Sequence, residues 1–152
     1  MTTSQALPQA LAEIVTDFQE LEERDRLTLL LEFSRSLPPL PERLSNHPEL
    51  LEQVVECQSP LFLTVETEKT DAGDVIRLFF QAPPEAPTTR GFASVLFEGL
   101  DGLTAEEILA VPDDMPEQLG LTRAISPLRM RGMSAMLGRV KRKIAAGVRP
   151  AA

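Results

Sequence analysis

Two strand-like stretches in the middle of the chain constrain its fold more than any other feature. Residues 61–66 alternate with a period of two and leave one face mostly apolar, and residues 75–80 form a second apolar run. Successive side chains of a β-strand point to opposite faces, so this pattern predicts strands. Residues 71–74 are typical of a turn, and Pro83-Pro84 ends the second run because proline cannot join a central ladder. The two stretches therefore predict an antiparallel hairpin.

Helical periodicity occupies the chain before this hairpin. Apolar residues recur three or four positions apart over residues 8–20, which predicts a first amphipathic helix. The same spacing from Leu27 to Leu37 predicts a second helix, which Pro38-Pro39 would stop. Residues 38–49 are then expected to form a rigid loop with at most one helical turn.

Helical signals return after the hairpin. A helix is expected after residue 88 and up to residue 100, and Thr104 with Glu107 forms a capping box for a short helix. Ser126-Pro127 is typical of a helix start, because serine caps the helix and proline fits its first turn. The inward stripe of this last helix is Met133, Met136, Leu137, Val140 and Ile144.

Strands and helices are thus segregated along the chain rather than alternating. With a short additional strand expected at Val54-Val55, the pattern predicts an α+β fold in two layers. A small three-stranded antiparallel sheet would pack against several helices. The length of 152 residues fits one domain over residues 1–152, with a core over about residues 8–146 and short flexible termini.

Composition narrows the class of protein. One cysteine argues for a reducing compartment, and the N-terminus shows no basic region followed by an apolar run, so a cytoplasmic protein without a signal peptide is expected. No apolar stretch approaches the length of a membrane span. Nucleic-acid binding is disfavoured, since the chain is acidic and has no Trp or Tyr for base stacking.

The charge is unevenly distributed. Residues 120–152 carry eight basic side chains and no acidic one, whereas the net charge of the whole chain is −8. Two interpretations stay open for this basic segment. It can complement the negative C-terminal end of the last helix, or it can form a docking surface.

Cys57 is the only cysteine, and it precedes the turn-forming residues 58–60. A lone thiol is either a buried packing residue or a nucleophile that acts on another molecule. Its position near a loop tip gives the second role about the same weight as the first, because loops often carry functional side chains, and both roles stay open at this point.

Other chemistry is weakly supported. The chain has no glycine-rich phosphate loop, and a single histidine, His47, excludes a multi-histidine metal site. A nucleophile pair of Cys57 and His47, as in cysteine hydrolases, remains an alternative.

Residues 56–63, Glu-Cys-Gln-Ser-Pro-Leu-Phe-Leu, resemble the Cys-Gln-Ser loop of the SufE family. Residues 90–96 are similar to the family's basic-Gly helix start, and residues 103–108 to its short capped helix. Residues 121–133 resemble its Ser-Pro-x-Arg-x-x-Gly start of the final helix. These motifs follow one another in the family's order, and the likeness covers roughly residues 8–146.

The resemblance implies a SufE/NifU-like fold and a sulfur acceptor rather than a stand-alone enzyme. Cys57 would take sulfur as a persulfide from a pyridoxal-phosphate cysteine desulfurase, stimulate that enzyme, and pass the sulfur to an iron–sulfur scaffold complex. The chain itself would bind no cofactor and no metal, and a weak homodimer stays open. The residues expected at the partner surface are Glu56, Gln58, Ser59, Glu85, Arg90 and Arg129.

Two positions depart from the family pattern. Glu56 replaces a glycine that commonly precedes the cysteine, and Phe62 stands where tryptophan is common. A carboxylate beside the thiol is expected to disfavour the thiolate.

The alternative function is a noncatalytic adaptor or regulator of a partner enzyme, in which Cys57 is only structural.

Overall fold

The computed structural model describes residues 7–147, so the predicted flexible termini lie outside the described residues. Its elements, in chain order, are α1 (Gln9–Glu20), α2 (Glu23–Phe33), α3 (Glu42–Ser45), β1 (Glu52–Gln53), β2 (Phe62–Thr70), β3 (Gly73–Gln81), α4 (Pro87–Leu100), α5 (Ala105–Leu109) and α6 (Pro127–Ala145). Single 3-10 turns occur at Pro48–Leu50, Val55–Cys57 and Met115–Leu119. The α+β class with a three-stranded antiparallel sheet is confirmed.

The predicted hairpin forms the centre of the sheet, whose strand order is β1-β2-β3. Leu63 pairs with Phe80 and Val65 with Leu78, so the alternating apolar residues meet on one face. These side chains are buried. The period-two pattern therefore fixes the register, because a slip of one residue would turn the apolar side chains toward the other face.

The outer edge of β3 is covered by the segment that follows α4. Ile76 donates its backbone N–H to the Leu103 carbonyl at 2.7 Å, and its own carbonyl accepts from Gly102 at 2.8 Å. The Asp101 carboxylate accepts the backbone N–H of Leu78 at 2.7 Å. Three backbone polar groups of this edge are thereby satisfied without a further strand.

Helix α4 lies at the middle of the helical layer and contacts α1, α2, α6 and β3. Its Gly91 lies against the backbone of Leu30, where the Cβ of any other residue would overlap the Leu30 carbonyl oxygen. The glycine therefore allows α2 and α4 to approach closely.

Both predicted helix starts are confirmed. Thr104 and Glu107 form the reciprocal capping box of α5. At the start of α6, the Ser126 hydroxyl accepts the backbone N–H of Arg129 at 3.2 Å, with Pro127 at the first position. These bonds satisfy N–H groups that a helix start otherwise leaves without a partner.

The predicted strand at Val54-Val55 is wrong. The strand lies two residues earlier, at Glu52–Gln53, and Val55–Cys57 is a 3-10 turn. Val54 still donates its N–H to the Leu61 carbonyl at 2.9 Å, but its own carbonyl accepts the N–H of Cys57 at 3.1 Å. That bond curls the chain out of the sheet directly after Val54.

The second helix ends at Phe33 instead of continuing to Leu37. The Arg90 guanidinium donates to the carbonyls of Ser34 at 2.8 Å and Leu37 at 3.3 Å. These two carbonyls therefore accept hydrogen bonds from a side chain of α4 and not from a continuing helix. Leu37 is buried, which explains why it fits the apolar period without belonging to the helix.

Among residues 7–147, no helix combines the length and the apolar character that a membrane crossing requires.

Candidate functional site

Cys57 is the last residue of the 3-10 turn Val55–Cys57, which rests on α6. Its side chain is only 8% exposed. The thiol donates a hydrogen bond to the Gly132 carbonyl of α6, with 3.5 Å between Sγ and the oxygen. The cysteine thus lies on a turn, as the sequence predicts, but points inward.

Gly132 makes this contact close. A Cβ at position 132 would lie 3.0 Å from the Cα of Cys57 and 3.2 Å from the Glu56 carbonyl oxygen. Both distances are shorter than an ordinary van der Waals contact. A hydrogen atom in place of a side chain therefore lets the backbone of the turn lie directly on the helix.

Gln58 reverses the chain after the thiol. Its φ is 60°, the only left-handed conformation of a non-glycine residue in the part of the chain that the structure describes. Its backbone N–H closes the turn by donating to the Val55 carbonyl at 3.1 Å. A side chain in this region is uncommon and costs of order 1–3 kcal/mol, so the surrounding contacts must hold it.

Two hollows adjoin the thiol. An open cavity of about 220 Å³ is lined by Cys57, Gln58, Ser59, Ser126, Leu128 and Arg129. A smaller recess on the inner side is lined by Cys57, Thr88, Thr89, Arg129, Gly132, Met133 and Met136. Cys57 and Arg129 are common to both, so Arg129 is the cation beside the route from solvent to the thiol.

Burial suppresses the thiolate. Loss of hydration, and then the negative charge of Glu56, raise the pKa of Cys57 to about 11, while the positive charge of Arg139 opposes the rise. At neutral pH the thiolate is then on the order of one molecule in ten thousand, against a few per cent for a free cysteine. The predicted effect of Glu56 is confirmed in direction, but burial is the larger cause.

A cluster of charged side chains flanks the turn. Arg139 of α6 donates to the Glu56 carboxylate at 2.7 Å and also to the Glu52 carboxylate. Lys143 lies 3.0 Å from Glu52. The backbone N–H of Glu56 and the bond from Arg139 lower the pKa of the Glu56 carboxyl group. Part of the basic charge of the last helix is therefore neutralised within the protein.

The structure brings four of the predicted partner-surface residues to the thiol. Glu56, Gln58 and Ser59 lie in or beside the turn, and Arg129 faces it from α6. Glu85 is exposed in the loop before α4 and lines neither hollow. Its role in binding a partner stays a prediction.

Arg90 is occupied by the fold. Besides Ser34 and Leu37, its guanidinium donates to the Ala82 carbonyl at 2.6 Å. These bonds hold the loop after α2 against the end of β3. A further contact with a partner stays a prediction, but the arginine has a structural role of its own.

His47 does not pair with Cys57. The Nδ1 atom of His47 lies 3.0 Å from the Glu49 carboxylate on an exposed loop, while the Cys57 thiol bonds to Gly132. The cysteine-hydrolase alternative therefore lacks its hydrogen bond between base and nucleophile. Within residues 7–147, no group of three or more His, Cys, Asp or Glu side chains is placed to hold a metal ion.

Two residues of the site, Gly132 and Arg139, were not predicted to belong to it, although Gly132 is the glycine of the Ser-Pro-x-Arg-x-x-Gly motif. Gly132 carried a signal, because glycine within a helix is unfavourable unless packing requires it. Arg139 carried none, since it resembles any other cation of a basic helix until the fold brings it to Glu52 and Glu56.

We predict that Gly132→Ala and Gly138→Ala change the stability of the protein in opposite directions. Gly138 lies on the same helix with its nearest neighbouring atom 3.7 Å from a built Cβ, so alanine there should stabilise the protein by about 0.5–1 kcal/mol. At Gly132 the methyl group would push the Cys57 turn outward, with a loss of about 1–3 kcal/mol and faster thiol alkylation. Denaturant unfolding and iodoacetamide labelling measure both effects. Equal behaviour of the two variants would contradict the close contact.

The raised pKa predicts an unusual pH profile of alkylation. In the folded protein the iodoacetamide rate should still be rising at about pH 10, since it follows the thiolate, whereas in urea it should level off above about pH 9. If the alkylation rate of the folded protein levels off at the same pH as in urea, the pKa of Cys57 is not raised by folding.

The chain is similar to known proteins over most of its length. The sequence model described as "SufE: Fe-S metabolism associated domain" matches residues 12–144. An uncharacterized SufE-like protein of Mycobacterium tuberculosis is 54% identical over 144 residues, covering 95% of this chain and 97% of that protein. The SufE-like protein 1, chloroplastic/mitochondrial, of Arabidopsis thaliana is 28% identical over 138 residues, which are 90% of this chain but 35% of that one.

Among solved structures, the solution structure of a hypothetical protein from Thermus thermophilus superposes with a TM-score of 0.77. It is 35% identical in sequence, and the match covers 93% of this chain and 97% of that one. With a family match over most of its length and a turn-borne cysteine among the motifs that carry the resemblance, the chain belongs to the SufE family.

Proposed function

We propose that this chain is a cytoplasmic sulfur carrier that accepts sulfur on Cys57 from a pyridoxal-phosphate cysteine desulfurase and stimulates that enzyme. The sulfur would then pass to an iron–sulfur cluster assembly scaffold. Membership of the SufE family implies the sulfur-acceptor role in iron–sulfur metabolism. The observation that carries the proposal is a sole thiol on a turn beside an open cavity of about 220 Å³.

The transfer is a thiol exchange. The Cys57 thiolate attacks the terminal sulfur of a cysteine persulfide on the partner, and a new S–S bond forms as the partner's S–S bond breaks. The electron pair of the broken bond leaves with the partner's thiolate. Sulfur moves without net oxidation or reduction, and Cys57 becomes the persulfide.

The resting structure requires the turn to move before this step. The thiol is 8% exposed and bonded to Gly132, so a second protein cannot reach Sγ in this conformation. Outward movement of the turn would hydrate the thiol and remove the main cause of its high pKa. Binding of the desulfurase would thus activate the nucleophile by exposing it, and a base of the partner or water would take the proton.

A noncatalytic adaptor is the second candidate, and burial favours it. Cys57 is part of the hydrophobic core cluster, which is also where a purely structural cysteine would lie. In that case the SufE-like surface would regulate a desulfurase while the thiol only fills space. The two candidates differ in whether sulfur is found on Cys57.

Cys57→Ser should abolish sulfur acceptance. After incubation with a cysteine desulfurase and free cysteine, the wild-type chain should gain the mass of one sulfur atom, lost again on reduction, and the variant should gain none. The serine hydroxyl enters an apolar site, so a stability loss of about 1–2 kcal/mol is expected. The adaptor would be favoured if Cys57→Ser stimulates the desulfurase as much as the unmutated chain does and the unmutated chain gains no sulfur.

Arg129→Ala should weaken binding to the desulfurase by at least about fivefold with little change in Tm, because arginines beside a docking cavity often dominate binding energy. Its side chain is exposed and faces both hollows beside the thiol. Arg131→Ala is the matched control, since it removes an exposed arginine of the same helix that lines neither hollow. Calorimetric titration measures both, and equal affinities for the two variants would remove Arg129 from the interface.

A further inference from the structure

Arg139 joins two acidic residues that lie on either side of Val54. Glu52 belongs to β1, and Glu56 is the middle residue of the turn that carries the thiol. One guanidinium donates to both carboxylates from α6, with its Nη2 atom 2.7 Å from Glu56. Lys143, one helical turn further on, adds a second contact to Glu52 at 3.0 Å.

This cluster differs from an ordinary surface ion pair. The Arg139 side chain is 15% exposed, and Glu52 and Glu56 are about one-third exposed, at 36% and 37%. Pairs held by a rigid guanidinium fork at a partly buried position are screened less by salt than fully exposed pairs. The other cation near Glu56 is Arg142, which acts on it only at longer range.

The cluster connects the turn to α6, because Glu56 lies in the turn and Arg139 lies in the helix. Moving Cys57 away from Gly132 carries Glu56 with it, since the two residues are adjacent in the 3-10 turn. The bond from Arg139 to Glu56 must then break, while Glu52 can stay paired to Arg139 and Lys143. The cost of opening therefore includes the loss of one charge-assisted hydrogen bond.

We propose that Arg139 is a positioning residue, which together with Glu52, Glu56 and Lys143 forms an electrostatic latch that holds the Cys57 turn closed on α6. The latch sets how often the thiol is exposed in the free protein. Its purpose rests on the proposed function: a carrier whose acceptor thiol stays closed until a partner opens it. In this chain Glu56 therefore does more than repel the thiolate, because it also fastens the turn.

The latch and simple electrostatics predict opposite effects of removing Arg139. The positive charge of Arg139 lowers the pKa of Cys57, so its loss alone would leave less thiolate and slow alkylation. Loss of the latch would open the turn more often and speed alkylation. The sign of the change decides which effect is larger.

The experiment measures iodoacetamide alkylation of the full chain, without a desulfurase, at a fixed pH near 8. Arg139→Gln should raise the rate by about three- to tenfold, as expected when one charge-assisted bond is removed from the opening equilibrium. Arg139→Lys keeps the positive charge but loses the forked guanidinium, so its alkylation rate should lie between those of the wild type and Arg139→Gln. Glu56→Gln should also speed labelling, and the Arg139→Gln/Glu56→Gln double variant should be less reactive than the product of the single effects.

Lys141→Gln is the matched control. Lys141 lies on the same helix and bonds to Asp113 at 2.8 Å, away from the turn, so the same loss of charge should leave the rate within about twofold. Because salt screens this partly buried cluster only in part, salt should raise the wild-type rate by less than the Arg139→Gln substitution does, and it should leave Arg139→Gln nearly unchanged. A rate for Arg139→Gln that equals or falls below that of Lys141→Gln would overturn the proposal.

Amide hydrogen exchange separates a local opening from general destabilisation. Arg139→Gln should speed exchange in residues 54–58 while amides of α4 keep their protection relative to global stability. Equal acceleration in the turn and in α4 would mean that Arg139 supports only the fold, and the latch would be rejected. None of these measurements involves sulfur transfer, so their failure is distinct from failure of the proposed carrier function, which the mass of Cys57 tests.

Discussion

The contact between the Cys57 turn and Gly132 of α6 is the interaction on which the site depends. It buries the thiol, gives its proton an acceptor, and brings the two backbones closer than any side chain at position 132 would allow. The cavity, the recess and the charged cluster are all arranged around this contact. Helix α6 thus serves as a wall of the core and as the support of the turn that carries Cys57.

Burial and reactivity oppose each other in this arrangement. The burial that shields the thiol from solvent also raises its pKa to about 11. Loss of hydration is the largest cause of this rise, whereas the charges of Glu56 and Arg139 change the pKa less and in opposite directions. Position therefore controls the chemistry of Cys57 more than its neighbouring charges do, and the left-handed Gln58 shows that the closed turn is held against a local conformational preference.

The hairpin, both helix caps and the turn-borne cysteine could be predicted from sequence because each depends on neighbours a few residues apart. The end of α2 was placed too late because Leu37 is buried and fits the apolar period, whereas the Ser34 and Leu37 carbonyls accept from Arg90, 56 residues beyond Ser34 in the chain. The position of β1 was missed for a similar reason: Val54-Val55 has strand-like side chains, but the bond from Cys57 to Val54 decides the backbone. Arg139 and Glu56, 83 residues apart, meet only in the folded protein.

The covered edge of β3 has a consequence for how copies of this chain behave together. Exposed sheet edges are templates on which a strand of another molecule can pair, and such pairing leads to aggregation. Here residues 101–103 occupy one edge, and the length of β2 beyond β1 carries Glu68 and the exposed Lys69, whose charges disfavour an added strand. Pairing of two copies of this chain through the sheet edges is thereby disfavoured.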